Sequence, residues 1–337
     1  VRVVGVADKL SSGWYRVHQP IAALQAQGVD ASVAELGMPT DLSVNADVVV
    51  LLRPTMWFAA DLIRTLQARG VRVVVDIDDD FHSVHPLNRA FDENHPRLQP
   101  HANFHHFRAA VKVADLVTVS TPALARRYGS HGRVAVLRNC VTGSWLGIPN
   151  RGDGRTVGWA GAISNHPTDL EVTHGGVATA VNECDARFLC VGGGVFDAKV
   201  KRQLGFEEIE ATPWRDLELH PYLVARLDVG IAPLTSTRFN EAKSALKGME
   251  YAALGIPFVA SPVAEYRWLQ DHYGLGLLAS DRARDWRRKV KQLLTNDTYR
   301  RELGEHHRQI VRNELVIERN AWRWAEAWES TLTRAAA

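Results

Sequence analysis

The chain has 337 residues, 46% of them hydrophobic and 23% charged, and a formal charge of +2. This is globular composition at about two domains' length, so a collagenous, coiled-coil or largely disordered chain is excluded. So mild a charge neither demands nor excludes a nucleic-acid partner.

In chain order, the first half alternates strand-like and helix-like segments. Val1–Ala7 reads as a strand and Trp14–Gln27 as a helix stopped at Gly28. Ala31–Leu36 and Asp47–Leu52 read as strands, and Phe58–Arg69 as a helix closed by Gly70. The β-branched run Val71–Asp76 fits a strand covered on both faces. An irregular stretch over about 78–100 follows, then a helix near His101–Val113, a strand Leu116–Val119, a helix from Pro122 and a strand Val134–Leu137. Asn139–Arg155 is rich in Gly, Pro, Asn and Ser and reads as a linker. A second series then begins. Its strands are Thr156–Ala160, Arg187–Val191, Val229–Ala232 and Pro257–Ala260. Its helices lie near Asp169–Val181, Ala198–Leu204, Leu217–Leu227 and Lys243–Leu254, and 281–333 is mostly helical. Two successive βαβ series predict an α/β protein with two parallel sheets and a cleft where their carboxyl ends face each other.

Cys140, Cys184 and Cys190 form no CxxC pair, which argues against a disulfide framework or structural zinc and for a reducing compartment. The opening VRVVGVA reads as a strand rather than a signal peptide, and no apolar run approaches the ~18 residues of a membrane span. A soluble, intracellular protein is expected.

The most specific stretch is Pro233–Ser261. A helix starting near Lys243 puts Lys243 and Lys247 four apart on one face, the first of them at the positive end of the helix dipole. That placement is unfavourable unless an anion is bound. A diphosphate resolves the conflict, and Glu250, on a similar face, is able to accept both hydroxyl protons of a ribose. A plain solvated amphipathic helix fits the same residues.

Here the sequence resembles a family. FNEAKSALKGMEYAALGIPFVAS (Phe239–Ser261) is similar to the donor-binding segment of GT-B glycosyltransferases, in particular the retaining group 1 (family 4) enzymes of bacteria and their phages. SGWYRVHQPIAAL (Ser12–Leu24), LLRP (Leu51–Pro54), VVVDIDDDF (Val73–Phe81) and VGWAGAISNHPTDL (Val157–Leu170) also resemble this branch, in the family's order. The resemblance implies two Rossmann-like domains, with an acceptor-side domain over 1–140, a linker over 141–155 and a nucleotide-sugar domain over 156–315. A final helix in 316–337 crosses back to the first domain. It implies transfer from a UDP- or GDP-sugar co-substrate with retention and no metal requirement.

Residue by residue, Glu250 matches the second glutamate of the family's E-x7-E motif. The first falls on Ala242, so donor-sugar contact passes to neighbours such as Asn240 and Lys243, with Ser244 beside them. His166 is the sole basic residue in GWAGAISNHPTDL, where many members carry Arg and Lys for the diphosphate. Lys243 and Lys247 are expected to substitute. Gly13 allows backbone to approach a ligand and Arg16 to meet the phosphates, or both belong to a plain strand–helix turn. Trp214, in TPWRD, stacks on the base or is an ordinary half-buried aromatic.

The run Asp76–Asp80 ends a strand, and carboxylates this close raise at least one pKa. Asp78 and Asp79 stand where the family often has a His-Asp pair and are the catalytic candidates, orienting the acceptor hydroxyl or acting as its base. A D-x-D site holding Mn²⁺, as in the GT-A fold, is a competing reading. So is a solvated or N-capping acidic turn. His82, His85, His95, His101, His105 and His106 crowd the following loop. The His101/His105 spacing suits zinc, but no Cys or H-E-x-x-H accompanies it, and a polar acceptor loop is the reading adopted. Gly192–Gly194 lack the dinucleotide fingerprint. Trp324 and Trp328 share a helical face and anchor the last helix. The expected acceptor is a glycan, a protein or a hydroxymethylated base in phage DNA. The alternatives are an inactive nucleotide-sugar-binding protein and a nucleotide-sugar epimerase.

Overall fold

The structure, a computed structural model, describes residues 1–9, 11–34, 45–98, 102–130, 132–192, 201, 204–213 and 216–333. Among the described residues the first domain holds six strands: β1 (Val3–Val6), β2 (Ala31–Ala34), β3 (Val48–Leu52), β4 (Arg72–Ile77), β5 (Leu116–Val119) and β6 (Val134–Val136). They form one parallel sheet in the order β2-β1-β3-β4-β5-β6. The second domain holds β7 (Thr156–Ala160), β8 (Arg187–Val191), β9 (Glu210–Thr212), β10 (Val229–Ala232), β11 (Phe258–Ala260) and β12 (Leu277–Leu278), parallel in the order β12-β11-β10-β7-β8-β9. VVVLL in β3 and VVVDI in β4 are wholly buried, because helices cover both faces of the sheet.

Strand order reverses between β1 and β3 in one sheet and between β7 and β10 in the other. Each reversal opens a crevice at the carboxyl ends of its strands, and the two crevices face each other.

Several elements differ from the sequence reading. β9 and β12 are additional; β9 is largely exposed and β12 is two residues long, so neither carries a continuous apolar run. The helix expected over Asp169–Val181 splits into a turn Leu170–Thr173 and a helix Gly176–Glu183, because His174 (φ 47°) and Gly175 (φ 73°) are left-handed. The helix expected over Leu217–Leu227 shortens to His220–Val224. The first helix contains a π-helical turn, Trp14–His18, in which the Gln19 N–H reaches back to the Trp14 carbonyl. The segment 198–204 lies mostly outside the described residues.

Beyond Leu315 an extended residue, Val316, turns the chain, and its bridge to Val141 joins the tail to the connection between domains. Ile317, Ala321, Trp324 and Trp328 then enter the core of the first domain beside Val3, Ile21, Val50 and Val74. The helix Trp322–Thr333 thus closes a face of the first sheet, although the residues before it belong to the second domain. Among the described residues no helix is long and apolar enough to cross a membrane.

Trp328 is fully buried there. Trp328→Ala is expected to lower the unfolding free energy by about 3–5 kcal/mol, read by chemical denaturation.

Candidate active site

The two crevices enclose one cleft of about 430 Å³. Asp8, Ser12, Tyr15, Arg53, Asp78 and Asp79 line it from the first domain; His166, His220, Lys243, Ser244, Lys247 and Glu250 line it from the second. Hydrogen bonds from the Asn88 amide to the Asn165 carbonyl (3.0 Å) and from the Arg89 N–H to the Ser164 carbonyl (3.1 Å) join the domains beside the cleft.

The second-domain wall is built on the helix Leu246–Ala253. Tyr251 ties it to the sheet: its phenol accepts from the Ala160 N–H (2.9 Å) at the end of β7 and donates to the Ile231 carbonyl (3.2 Å) in β10. Gly230 makes room for that ring, since a Cβ there would lie 2.6 Å from it. The helix is therefore packed at the strand-order reversal, and Lys247 and Glu250, three residues apart, share the face toward the cleft.

Lys243 is not on this helix, contrary to the sequence reading. A short helix, Arg238–Glu241, is capped by the Thr237 hydroxyl, which accepts from the Asn240 N–H (3.1 Å). The chain then breaks over 242–245. The Ala242 carbonyl accepts from Thr121 Oγ1 of the first domain (2.9 Å), and Asn139 donates to the Ser244 hydroxyl (3.0 Å). Phe239 and Ala242 pack into the first domain's core. These contacts carry Lys243 into the cleft, where its ammonium lies 3.8 Å from Asp79 Oδ1.

The aspartate run divides by partner. Asp76 forms a buried, two-pronged ion pair with Arg16 (2.8 Å each) and accepts from Thr118 Oγ1 (2.6 Å). Asp80 caps the turn Phe81–Ser83 and accepts from Tyr128 (3.0 Å). Asp78 pairs with Arg53 at 3.5 Å. Only Asp79 faces the lysines. Burial raises its pKa, opposed by Lys243 and reinforced by Asp78.

Opposite, Asp169 Oδ1 accepts from the Asn240 amide (2.6 Å) and the Thr235 N–H (3.1 Å), and Oδ2 lies 2.6 Å from His166 Nδ1. Burial and Lys247 push His166 down to about 3, so the ring is neutral. With Nδ1–H donated to Asp169, Nε2 is left to accept from Lys247 Nζ at 3.3 Å. Burial and then Lys243 lower Lys247 to about 8.

Asn240, Lys243, Ser244, Lys247, Glu250, Asp78 and Asp79 are thus gathered in or beside one cleft. Arg16 is not with them. It is fully buried beneath the cleft floor, donating also to the Leu137 carbonyl and to Asn139 Oδ1 (2.8 Å), with its guanidinium 5.7 Å from the Trp324 ring. The expectation that it meets phosphates is corrected, because Asp76 and these carbonyl groups engage its donors. Gly13 packs beside the cleft: a Cβ would stand 1.9 Å from the Asp8 carbonyl oxygen, so its role is close chain packing. Trp214 lies outside the described residues, as do His101 and Gly193–Gly194.

Sequence reasoning missed Tyr15, Asp8, Arg53 and His220 as cleft residues. Tyr15 lies inside the quoted SGWYRVHQPIAAL stretch, in the helix after β1, and Arg53 inside LLRP, just past the end of β3. Arg53 adopts φ 44°, an unfavourable conformation for a side-chain-bearing residue. Beside the main cleft is a second cavity of about 280 Å³, and Asp8, Arg53, Asp79, Phe81 and Ala90 line both. Among the described residues no group of three or more His, Cys, Asp or Glu is placed to hold a metal ion.

Residues 154–296 match the family model "Glycosyl transferases group 1". No curated protein matches the sequence. Among solved structures, sucrose-phosphate synthase from Thermosynechococcus elongatus superposes with TM-score 0.68 at 16% identity, covering 99% of this chain and 100% of that one. HepE from Anabaena, in complex with UDP and glucose, gives 0.64 at 14%, covering 98% and 99%. TarM from S. aureus gives 0.61 at 13%, covering 83% of this chain and 55% of that one, so this chain spans about half of TarM. The protein has the GT-B fold, and its residues 154–296 are similar to the group 1 glycosyltransferases. Asp76, Asp78 and Asp80 being engaged with Arg16, Arg53 and Tyr128, the GT-A reading of the aspartate run is set aside with that fold.

Two outcomes are expected. Arg16→Met lowers the unfolding free energy by about 3–5 kcal/mol in denaturant titrations, since it leaves Asp76 buried and unpaired. Lys247 is charged below pH ~8 and neutral above it, so nucleoside-diphosphate affinity by calorimetry holds from pH 6 to 7.5. Above pH 8 it falls by up to about tenfold per pH unit, and Lys247→Met abolishes that slope.

Proposed function

We propose that the protein transfers a sugar from a nucleoside-diphosphate sugar to an acceptor hydroxyl. The observation that carries this reading is the face shared by Lys247 and Glu250 at the start of one helix, with Lys243 beside it and Asp79 opposite. The diphosphate is held by the two ammonium groups and the first-turn amides of the helix. The ribose hydroxyls donate to Glu250. The sugar then extends toward Asp79, where the two cavities meet.

The acceptor enters through the second cavity. Asp79 orients its hydroxyl toward the anomeric carbon. As the bond to the diphosphate breaks, the departing phosphate oxygen takes the hydroxyl proton, and the new C–O bond forms on the face just vacated, giving retention. Lys243 and Lys247 stabilise the charge that develops on the leaving group.

Asp8, Asp79 and Glu93 line the second cavity, and Arg53, the one arginine among its described lining residues, is paired with Asp78. That balance disfavours a phosphate-bearing acceptor. It supports a glycan or protein hydroxyl over a base in DNA. A second reading, a nucleotide-sugar-binding protein without catalysis, is favoured by one feature: the motif's first glutamate is replaced by Ala242, buried in the first domain's core.

UDP- and GDP-hexoses incubated with the protein and followed by NMR separate the two. The transferase reading predicts slow donor hydrolysis by the wild type, lost in Asp79→Asn, and UDP or GDP affinity reduced about tenfold or more in Lys243→Ala. Absence of hydrolysis with intact binding supports the non-catalytic binder, and unchanged affinity in Lys243→Ala removes the proposed diphosphate site.

A further inference from the structure

Glu250 already has a partner. The Tyr15 phenol, from the first domain, donates to Glu250 Oε1 at 2.5 Å, and both residues are buried. They are 235 positions apart and face each other across the domain boundary. Tyr15 lies in the π-helical turn Trp14–His18, and its neighbour Arg16 is fixed on Asp76. Burial, and then Glu250, raise the phenol's pKa well above its ordinary value, so it stays protonated and remains a donor.

A carboxylate offers about four lone-pair positions. Tyr15 uses one on Oε1, leaving one there and two on Oε2, enough for both ribose hydroxyls. The terminal torsion of a glutamate is broad when nothing holds it. Resting on the reading that Glu250 takes the ribose, we propose that Tyr15 is a positioning residue: it orients the Glu250 carboxylate from the opposite domain, so that cleft closure and recognition of the ribose hydroxyls are one event.

The test uses isothermal calorimetry on the full chain with UDP, GDP and their 2′,3′-dideoxy analogues, comparing wild type, Tyr15→Phe, Glu250→Gln and the double variant. Tyr15→Phe is expected to weaken the ribonucleoside diphosphate about tenfold. It should leave the dideoxy analogue within about twofold, and add nothing to the loss already caused by Glu250→Gln. Tighter binding by Tyr15→Phe would mean that the phenol competes with the ribose, and overturns the proposal. Unchanged binding, or an equal loss for both ligands, overturns it as well. A wild type that binds ribo and dideoxy forms equally refutes the ribose role of Glu250 itself, a separate failure that shows in the wild-type data alone. A wild type that binds neither UDP nor GDP removes both.

Discussion

Two ammonium groups, Lys243 and Lys247, are confined in one cleft walled by protein on both sides, and much of the site answers that constraint. Burial and mutual repulsion lower Lys247 to about 8. His166, next to it, is held neutral and adds no third positive charge; its lone pair accepts from Lys247. Opposite charge comes from three directions: Asp79 across the cleft, and Asp169 and Glu250 on the same side. On the proposed reading, the two ammonium groups are held by these carboxylates in the place where a leaving diphosphate would gather charge.

Holding these groups in place requires rigid support in both domains. In the second, Tyr251 bridges the ends of β7 and β10 and fixes the helix that carries Lys247 and Glu250. In the first, the Arg16–Asp76 pair joins the first helix to β4 beneath the cleft floor, and Asn139, bonded to both Arg16 and Ser244, extends that network into the other domain. The returning helix contributes Trp324 to the first domain's core, near the same guanidinium. Breaking one of these supports moves the charged groups apart even where the substitution touches no ligand.

Much of this was legible in the sequence. Ten of the twelve strands among the described residues were visible in the sequence, the central ones as apolar runs because parallel strands buried on both faces carry an unbroken signal. The short strands Glu210–Thr212 and Leu277–Leu278 lack it. The spacing of Lys243, Lys247 and Glu250 marked them as candidates, and the structure brings all three to one cleft. The helix start was not legible, because the break over 242–245 depends on Thr121 and Asn139, more than a hundred residues away. The aspartate run shows the same limit. Four similar side chains take different roles, set by which of Arg16, Arg53, Lys243 or Tyr128 each meets, and only the assembled sheet decides that. Arg16 was misread for this reason, and Tyr15 was passed over because its partner lies in the other domain.

The central claim is that one cleft holds a diphosphate on Lys243 and Lys247 with the attached ribose on Glu250. A crystal structure of the protein soaked with UDP or GDP tests it most directly. The account predicts phosphate oxygens within hydrogen-bond distance of both ammonium groups and the ribose hydroxyls on the Glu250 carboxylate. Nucleotide bound elsewhere, with the lysines still paired only to Asp79 and His166, would contradict it.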